Sequence, residues 1–231
     1  MVVNVPLRRS PSSTSVDDID DVDDSEMTSR YLALDCEMVG IGPNGSTSRL
    51  ARVSIVNWRS EVVYDAHVRV SETVTDHRTH VSGISPEDLL ESSGAVSFDD
   101  ARRDVMDLIR GKVVIGHGLR GDFAALGIYD HPWHDVRDTA RYEPFMRPLG
   151  PHEYNPTPFD NATHVPKKLK ILARDKLKME IQVDGRPHCP IEDAVAALEL
   201  YKRHRVKWER AIMYKVKRTK EICGSGSGES R

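Results

Sequence analysis

The sequence predicts an α/β fold in which helices pack on a mixed β-sheet. Residues 52–58 and 61–70 alternate apolar and polar side chains around Arg59-Ser60, which is typical of antiparallel strands joined by a tight turn. Residues 112–116 form a buried apolar run, and a helical segment follows at about 119–126. Such a strand-to-helix connection is typical of parallel βαβ units, so the sheet is expected to contain both kinds of pairing.

Three further elements are predicted around these. Residues 31–35 form a short apolar run that ends in a carboxylate, which predicts the first strand. Residues 97–110 place apolar side chains at helical spacing, with Ser97 as the N-cap and Gly111 as the stop, which predicts an amphipathic helix. Residues 136–139 predict a last short strand.

The C-terminal half combines a proline-rich loop with two helices. Residues 144–166 contain six prolines, so we expect a long loop without regular structure, of a functional or disordered kind. Apolar spacing predicts a helix over residues 167–178. A long helix then begins at Pro190, because the fixed φ of proline suits a first helical residue.

Composition divides the chain into one domain and two tails. At 231 residues, it has the length of a single domain with extensions. Residues 1–29 carry seven acidic and two basic side chains with little to bury, which predicts a disordered acidic tail. Residues 30–222 form the predicted domain with a basic C-terminal helix, and residues 223–231 a flexible tail.

Charge is unevenly distributed along the chain. The formal net charge is −3, yet residues 202–220 hold nine Lys and Arg side chains and one Glu. This basic stretch predicts contact with a phosphate backbone or, alternatively, a nuclear-import signal. No apolar run approaches the ~20 residues that span a bilayer, so no membrane association is expected. Three cysteines in no metal-site spacing indicate a reducing compartment.

Acidic residues at the ends of predicted elements are the candidates for chemistry. Asp35 and Glu37 are two residues apart in a strand, so both carboxylates point to one face, about 6.6 Å apart along the chain. Asp122 follows the strand at 112–116, and Asp193 lies one turn into the last helix. Paired acids repel unless a cation neutralises them, and hard oxygen ligands suit Mg²⁺ or Mn²⁺.

The order and surroundings of these acids are more specific than any one of them. They match D-x-E, then G-H-x-L-x-x-D-F, then H-x-x-x-x-D. Three linked motifs in this order predict a metal site at which the acids converge. Taken singly, each acid is more commonly a solvated residue or a helix cap.

Longer motifs extend this pattern over residues 31–201. They are Leu-Asp-Cys-Glu-Met-Val-Gly (34–40), Leu-Ala-Arg-Val-Ser-Ile-Val-Asn (50–57), Thr-Asp-His-Arg-Thr (75–79), Val-Ser-Gly-Ile (81–84), Gly-His (116–117), Arg-Asp-Thr (137–139) and Glu-Asp-Ala (192–194). With these motifs the chain resembles the RNA exonuclease 4 and interferon-stimulated exonuclease family, one of the DEDDh 3′-to-5′ exonucleases. The resemblance implies a ribonuclease H-like fold: a five-stranded mixed sheet flanked by helices, with its first three strands antiparallel.

Carried over residue by residue, the resemblance implies an active site with two divalent ions, Mg²⁺ or Mn²⁺. Asp35, Glu37, Asp122 and Asp193 would be the metal ligands, and His188 the base that accepts a proton from water. The implied reaction releases nucleoside 5′-monophosphates from the 3′ end of single-stranded nucleic acid, RNA more than DNA, in RNA or rRNA processing.

The same resemblance implies two substrate contacts and a location. Met38 would lie against the terminal base or sugar, and Arg78 would contact the terminal nucleotide; the alternatives are a core methionine and a surface arginine. Relatives read Ser-Leu where this chain has Lys168-Leu169. The resemblance places the protein in the nucleus or nucleolus, although its acidic N-terminal extension differs from the basic one of relatives and leaves the cytoplasm open.

Several neighbouring residues have simpler interpretations. Cys36 is expected on the opposite strand face from the acids, as a small buried hydrophobe and not as a nucleophile. We expect His117 to pack or to form hydrogen bonds, Glu192 to cap the helix or face solvent, and Asp138 to hold a neighbouring backbone.

Two other functions stay open from the sequence. One is a non-catalytic scaffold that binds nucleic acid with an exonuclease-like fold. The other is an oligoribonuclease that acts on very short substrates. The intact set of four acids and one histidine favours a catalyst over a scaffold.

Overall fold

The computed structural model describes residues 23–150 and 163–224. The predicted acidic tail before Asp23, the middle of the proline-rich loop (151–162) and the residues after Gly224 lie outside the described residues. Within the described part, strands and helices follow each other in the order that the sequence predicts.

Eight strands form two sheets in the described ranges. In chain order they are β1 (Tyr31–Ile41), β2 (Thr47–Asn57), β3 (Val62–His67), β4 (Val74–Asp76), β5 (Val113–Gly116), β6 (Val136–Asp138), β7 (Arg147–Pro148) and β8 (His164–Val165). The main sheet has the order β3-β2-β1-β5-β6, and β4 pairs with the end of β1. Strands β1, β2 and β3 are antiparallel, whereas β1–β5 and β5–β6 are parallel, so the predicted mixed sheet is confirmed. With β4 it has six strands and not the expected five, because the short β4 pairs with the end of β1.

Six α-helices accompany these strands in the same part of the chain. They are α1 (Asp24–Arg30), α2 (Thr79–Ser82), α3 (Phe98–Ile109), α4 (Leu119–Leu126), α5 (Leu169–Leu172) and α6 (Pro190–Gly224), with a π turn, Ala173–Leu177, continuing α5. The four predicted helices are confirmed. Ser97 Oγ accepts a 3.1 Å hydrogen bond from the amide of Asp100, so Ser97 is the predicted N-cap of α3.

One face of the main sheet packs against α3 and α4. Leu32 and Leu34 of β1 form a buried cluster with Val105 and Ile109 of α3 and with Leu126 of α4. Because successive side chains of a strand point to opposite faces, the odd-numbered residues of β1 point away from this cluster. The sheet is therefore apolar on both faces, as expected for strands covered by helices.

The first turns of α6 pack on the opposite face. The ring of Tyr31 lies 5.5 Å from that of Tyr201 and 5.4 Å from that of Trp58. Ala194 and Ala197 are fully or almost fully buried, and such small side chains allow the helix to approach the sheet closely. Helices on both faces make the three-layer α/β arrangement that the sequence predicts.

The long helix α6 takes part in two compact units. The larger unit comprises residues 24–203, and the smaller one includes, among the described residues, Asp23 and residues 204–224. Most Lys and Arg side chains of the basic stretch 202–220 are exposed. No helix in the described residues is both long and apolar enough to cross a bilayer.

Two boundaries of the predicted domain differ in the structure. Residues 24–29 were expected to belong to the disordered tail, but they form α1, because Met27 is buried to 5 % exposure and so contributes apolar contact. At the other end α6 continues to Gly224, so the predicted flexible tail does not begin at residue 223.

The ends of the proline-rich loop are also more regular than expected. Arg147 pairs with Val165 and Pro148 with His164, which makes β7 and β8 a small antiparallel sheet. The prediction that residues 144–166 lack regular structure is wrong at these ends. A proline is tolerated there because a two-residue edge strand leaves its missing N–H without consequence.

The core makes a stability prediction. Replacing Ile55, which is fully buried in the centre of β2, by Ala should lower the free energy of unfolding by about 3 kcal/mol, because the side chain leaves a cavity. Urea denaturation measures this change. Val63→Ala on β3, where the side chain is 41 % exposed, is the control and should cost less than about 1 kcal/mol.

Candidate active site

Asp35 and Glu37 lie near the middle of β1, on the face of the sheet that α6 covers. Glu37 pairs across the ladder with Arg52 of β2, and a bulge separates it from Met38. Arg52 is itself fixed by two 2.8 Å hydrogen bonds to the carboxylate of Asp65. Burial raises the pKa of Glu37, and the positive charge of Arg52 partly offsets that rise.

The third acid, Asp122, lies on α4, which packs on the other face of the sheet. A Cβ atom at Gly116 would lie 2.8 Å from the carbonyl oxygen of Leu34, so a glycine is required where β5 runs beside β1. Helix α4 begins directly afterwards, with Gly118 at a φ of 83°, and carries Asp122 in its first turn. The close approach of β5 to β1 thereby brings Asp122 to the acids of β1.

Asp122 corrects one expectation about Cys36. Cys36 packs against the apolar cluster, as a small hydrophobe does. Asp122, however, lies close enough to Cys36 for the backbone N–H and thiol of Cys36 to lower the pKa of the Asp122 carboxyl. The prediction that Cys36 lies apart from the acids is therefore wrong for Asp122, because α4 covers the face of β1 to which the thiol points.

The fourth acid, Asp193, lies in the first turn of α6. Its amide donates a 3.0 Å hydrogen bond to the carbonyl of Cys189, which fixes the residue at the start of the helix. Gln182 Nε2 donates a 2.7 Å hydrogen bond to Asp193 Oδ2. Oδ1 is buried without a hydrogen-bond partner among the described residues.

The structure therefore brings the four predicted acids together. Glu37, Asp122 and Asp193 are 7 %, 6 % and 4 % exposed, and Asp35 is partly buried. Burial raises the pKa of Asp35 well above its ordinary value, and the charges of Asp122, Asp193 and Glu37 raise it further. Elements that are far apart in sequence thus share one acidic corner.

The neighbouring acids are affected in the same direction. Burial, with the charge of Asp193, raises the pKa of Glu37 to about 8. Burial likewise raises the pKa of Asp122 to about 7, although the hydrogen bonds from Cys36 oppose the shift. Burial also raises the pKa of Asp193, while Gln182 and His188 lower it. Each carboxylate is therefore less stable in its charged form than in water.

The donor set fits a hard divalent cation. Within residues 23–150 and 163–224, no three His, Cys, Asp or Glu side chains are arranged as a complete metal-binding group. The chemistry of the corner nevertheless suits one, because its donors are carboxylate oxygens that repel each other and Asp193 Oδ1 is a buried acceptor without a partner.

A cavity of about 570 Å³ opens beside the acids. Its acidic side includes Asp35 and Asp193, and His188 lies next to them. Its other charged or titratable side chains include a basic group: His80, His117, Lys168, Lys170 and Arg186. The cavity thus combines acids with cationic residues, an arrangement that accommodates a phosphate-containing ligand.

His188, two residues before α6, is held in place by its backbone. The amide of His188 donates a 2.7 Å hydrogen bond to the carbonyl of Val81, at the end of the segment that follows Arg78. This bond ties the start of α6 to α2. His188 is close enough to Asp193 to lower the pKa of that carboxyl electrostatically.

The simpler interpretations of three residues agree with the structure. His117 Nδ1 lies 2.9 Å from Thr139 Oγ1, so His117 forms hydrogen bonds, and its burial lowers its pKa. Asp138 Oδ1 accepts hydrogen bonds from the amides of Gly118 and Ala140, at 2.8 and 2.9 Å, and so holds a neighbouring backbone. Glu192 is exposed to solvent.

Met38 and Arg78 both contact the first half of β2. Met38 is partly buried and pairs across the ladder with Leu50. Arg78 donates 2.9 Å hydrogen bonds to Ser48 Oγ and to the carbonyl of Gly45. Neither is among the described residues that line the cavity, and their contacts with a nucleotide stay predictions.

Sequence reasoning missed Gln182. It lies between two helices, in no motif that would single it out, and its partner Asp193 is eleven positions away. Lys168 was noted only as a departure from relatives, yet it lines the cavity. Residue spacing predicts neither role, because both depend on how residues 168–182 pack beside the start of α6.

The comparisons with known proteins agree with this arrangement. The family model RNase_T, described as "Exonuclease", matches residues 32–201. The chain belongs to this exonuclease family. The matched range contains all four acids and His188, and the predicted family resemblance is confirmed.

Curated relatives share the exonuclease domain. RNA exonuclease 4 of Mycosarcoma maydis is 42 % identical over 182 residues, which cover 79 % of this chain and 44 % of the relative. The apoptosis-enhancing nuclease of Rattus norvegicus is 38 % identical over 199 residues, 86 % of this chain and 56 % of the relative. The chain spans about half the length of the curated relatives it matches.

Solved structures match the exonuclease domain as well. The Neurospora crassa Pan2 catalytic unit superposes with a TM-score of 0.63 and 28 % identity, over 82 % of this chain and 29 % of that one. A Saccharomyces cerevisiae Pan2 module in complex with AAUUAA RNA gives 0.61 and 28 %, over 85 % and 32 %. The ribonuclease H-like fold is confirmed by these matches.

The repulsion among the acids makes a stability prediction. In EDTA at pH 8, Asp35→Asn should raise the free energy of unfolding by on the order of 1 kcal/mol, because it removes one of several buried like charges. Thermal and urea denaturation measure the gain. Asp130→Asn, at an exposed position, is the control and should leave stability unchanged.

The gain should depend on pH with a definite sign. Glu37 and Asp122, with pKa values of about 8 and 7, bind protons more tightly in the folded protein than in the unfolded chain. Stability of the wild type therefore rises as the pH falls through 8 and 7, and the advantage of Asp35→Asn shrinks. An advantage that grows toward pH 6 would contradict this account.

Proposed function

We propose that the protein is a metal-dependent 3′-to-5′ exonuclease that hydrolyses single-stranded RNA to nucleoside 5′-monophosphates. The observation that carries the proposal is the convergence of four acids, three of them buried and Asp35 partly buried, beside a cavity with basic side chains. Relatives named RNA exonuclease 4 and Pan2 structures with bound RNA oligonucleotides support RNA as the substrate. We further propose that its biological role is RNA or rRNA processing in the nucleus.

In this proposal the acidic corner binds two divalent ions, Mg²⁺ or Mn²⁺. Asp35, Glu37, Asp122 and Asp193 are the residues that would hold them. When bound, such ions lower the pKa of water and stabilise the attacking and leaving oxygens of a phosphodiester. The carboxylates repel one another when no cation is bound. A bound cation would relieve this repulsion, which gives the site its affinity for cations.

His188 is proposed to accept the proton of the attacking water. Histidine is suited to this role because its imidazole exchanges protons near neutral pH. It lines the same cavity as Asp35 and Asp193, and its backbone is fixed by the hydrogen bond to Val81.

The basic side of the cavity is proposed to bind the phosphate backbone. Lys168 and Arg186 offset the negative charge that RNA adds next to four acids. Met38 and Arg78 would contact the terminal nucleotide. Arg78 retains guanidinium N–H groups beyond the two that bond Ser48 and Gly45.

A labelled-oligonucleotide assay tests the proposed reaction. A 5′-labelled single-stranded oligoribonucleotide should shorten stepwise with Mg²⁺, a 3′-labelled one should release labelled mononucleotide at once, and EDTA should stop both. The DNA oligonucleotide of the same sequence should be degraded more slowly. Binding without EDTA-sensitive shortening would favour the scaffold instead, and cleavage of dinucleotides alone would favour an oligoribonuclease.

Two variants test the assigned residues. Asp193→Asn and His188→Ala should each lower kcat by on the order of a hundredfold or more without loss of folding, since one removes a ligand and the other the base. Glu192→Gln, on the same helical turn but exposed to solvent, is the matched control and should keep wild-type kcat. Full activity of Asp193→Asn would refute the assignment.

The basic cavity wall makes a separate prediction about affinity. Lys168→Ala should raise KM for RNA several-fold with little change in kcat, and should reduce the slope of log affinity against log salt by about 0.7. Arg103→Ala on α3, away from the cavity lining, is the control. An unchanged salt slope in Lys168→Ala would exclude this lysine from backbone binding.

A further inference from the structure

The two oxygens of the Asp193 carboxylate have different surroundings. Oδ2 accepts the 2.7 Å hydrogen bond from Gln182 Nε2. Oδ1 is buried and has no hydrogen-bond partner in the part of the chain that the structure describes. A buried acceptor left without a partner costs free energy, so its persistence points to a ligand that the folded protein is built to receive.

The backbone of Gln182 is held in a conformation that glutamine rarely adopts. Its φ is 49°, in the left-handed region, which is unfavourable for a non-glycine residue. The preceding Ile181 is buried to 6 % exposure and anchors the segment in the protein. The packing of Ile181 therefore helps to hold this backbone conformation. In it, the side-chain amide of Gln182 reaches Asp193 in α6.

The segment is also anchored on the far side of Gln182. Lys170 Nζ lies 2.7 Å from Asp184 Oδ1, and the amide of Arg186 donates a 3.0 Å hydrogen bond to the carbonyl of Val183. The hydrogen bond from His188 to Val81 closes the segment just before α6. The buried Ile181 before Gln182 and the hydrogen bond from His188 to Val81 after it limit how far the backbone of this segment can move.

We propose that Gln182 is a positioning residue that fixes Asp193 through Oδ2 and leaves Oδ1 as the oxygen offered to a divalent cation. The inference rests on the proposed function, which makes Asp193 a metal ligand. An amide suits this role because it donates a hydrogen bond without adding a charge that would compete with the cation. Partners of this kind typically contribute 10- to 100-fold to metal affinity or activity.

Two substitutions separate the hydrogen bond from the backbone. Gln182→Gly removes the side chain and adopts a positive φ without strain, so the fold should be preserved. Gln182→Met keeps a side chain of similar length but has no donor. Val183→Ala, at the adjacent residue that lines the same cavity, is the matched control.

Mn²⁺ binding to the RNA-free protein, measured by calorimetry and by electron paramagnetic resonance, is the decisive readout. We expect Gln182→Gly and Gln182→Met to bind Mn²⁺ about tenfold more weakly than the wild type and Val183→Ala, with the same melting temperature in EDTA. In RNA cleavage, KM should be unchanged, and the loss of kcat at low Mn²⁺ should diminish as Mn²⁺ approaches saturation.

The outcomes distinguish this inference from the proposed function. If Asp193→Asn loses Mn²⁺ binding while both Gln182 variants bind as tightly as the wild type or more tightly, Gln182 has no positioning role and only this inference is overturned. If Asp193→Asn binds Mn²⁺ and cleaves RNA like the wild type, both are overturned.

Discussion

The mutual repulsion of four carboxylates, three of them buried and one partly buried, is the constraint on which the rest of this structure depends. Asp35 has the charges of Asp122, Asp193 and Glu37 around it, and burial adds to their effect. Such a cluster opposes folding unless the surrounding fold is stable enough to hold it. The strands and helices around the acids therefore have to offset the unfavourable free energy of the clustered carboxylates. Such a stability cost is typical of functional sites.

The three layers of the fold supply that support from both sides of one strand. On one face, α3 and α4 bury Leu32 and Leu34, and α4 delivers Asp122. On the other, the aromatic contact between Tyr31 and Tyr201 holds α6 against the sheet and thereby fixes Asp193 one helical turn after its start. Because helices pack against both faces of β1, Asp35 and Glu37 on this strand have little freedom to move away from Asp122 and Asp193.

Hydrogen bonds from neutral donors complete the arrangement. The backbone N–H and thiol of Cys36 lower the pKa of Asp122, and the side-chain amide of Gln182 donates a hydrogen bond to Asp193. Each donor orients a carboxylate and lowers its pKa without cancelling its charge. The acidic corner keeps its attraction for cations while its side chains stay ordered, a combination that a salt bridge to each acid would remove.

The sequence by itself determined the sheet, its helices and the identity of the acids. Period-two and helical spacing are local properties, and the linked motifs around Asp35, Asp122 and Asp193 are unusual enough to be read without coordinates. Boundaries were less predictable, as the buried Met27 of α1 and the pairing of β7 with β8 show, because both depend on contacts with distant residues. Only the tertiary structure decided that Cys36 meets Asp122 and that Gln182 meets Asp193. A hydrogen bond between side chains from different elements depends on angles and distances of about an ångström, and residue spacing carries no record of those.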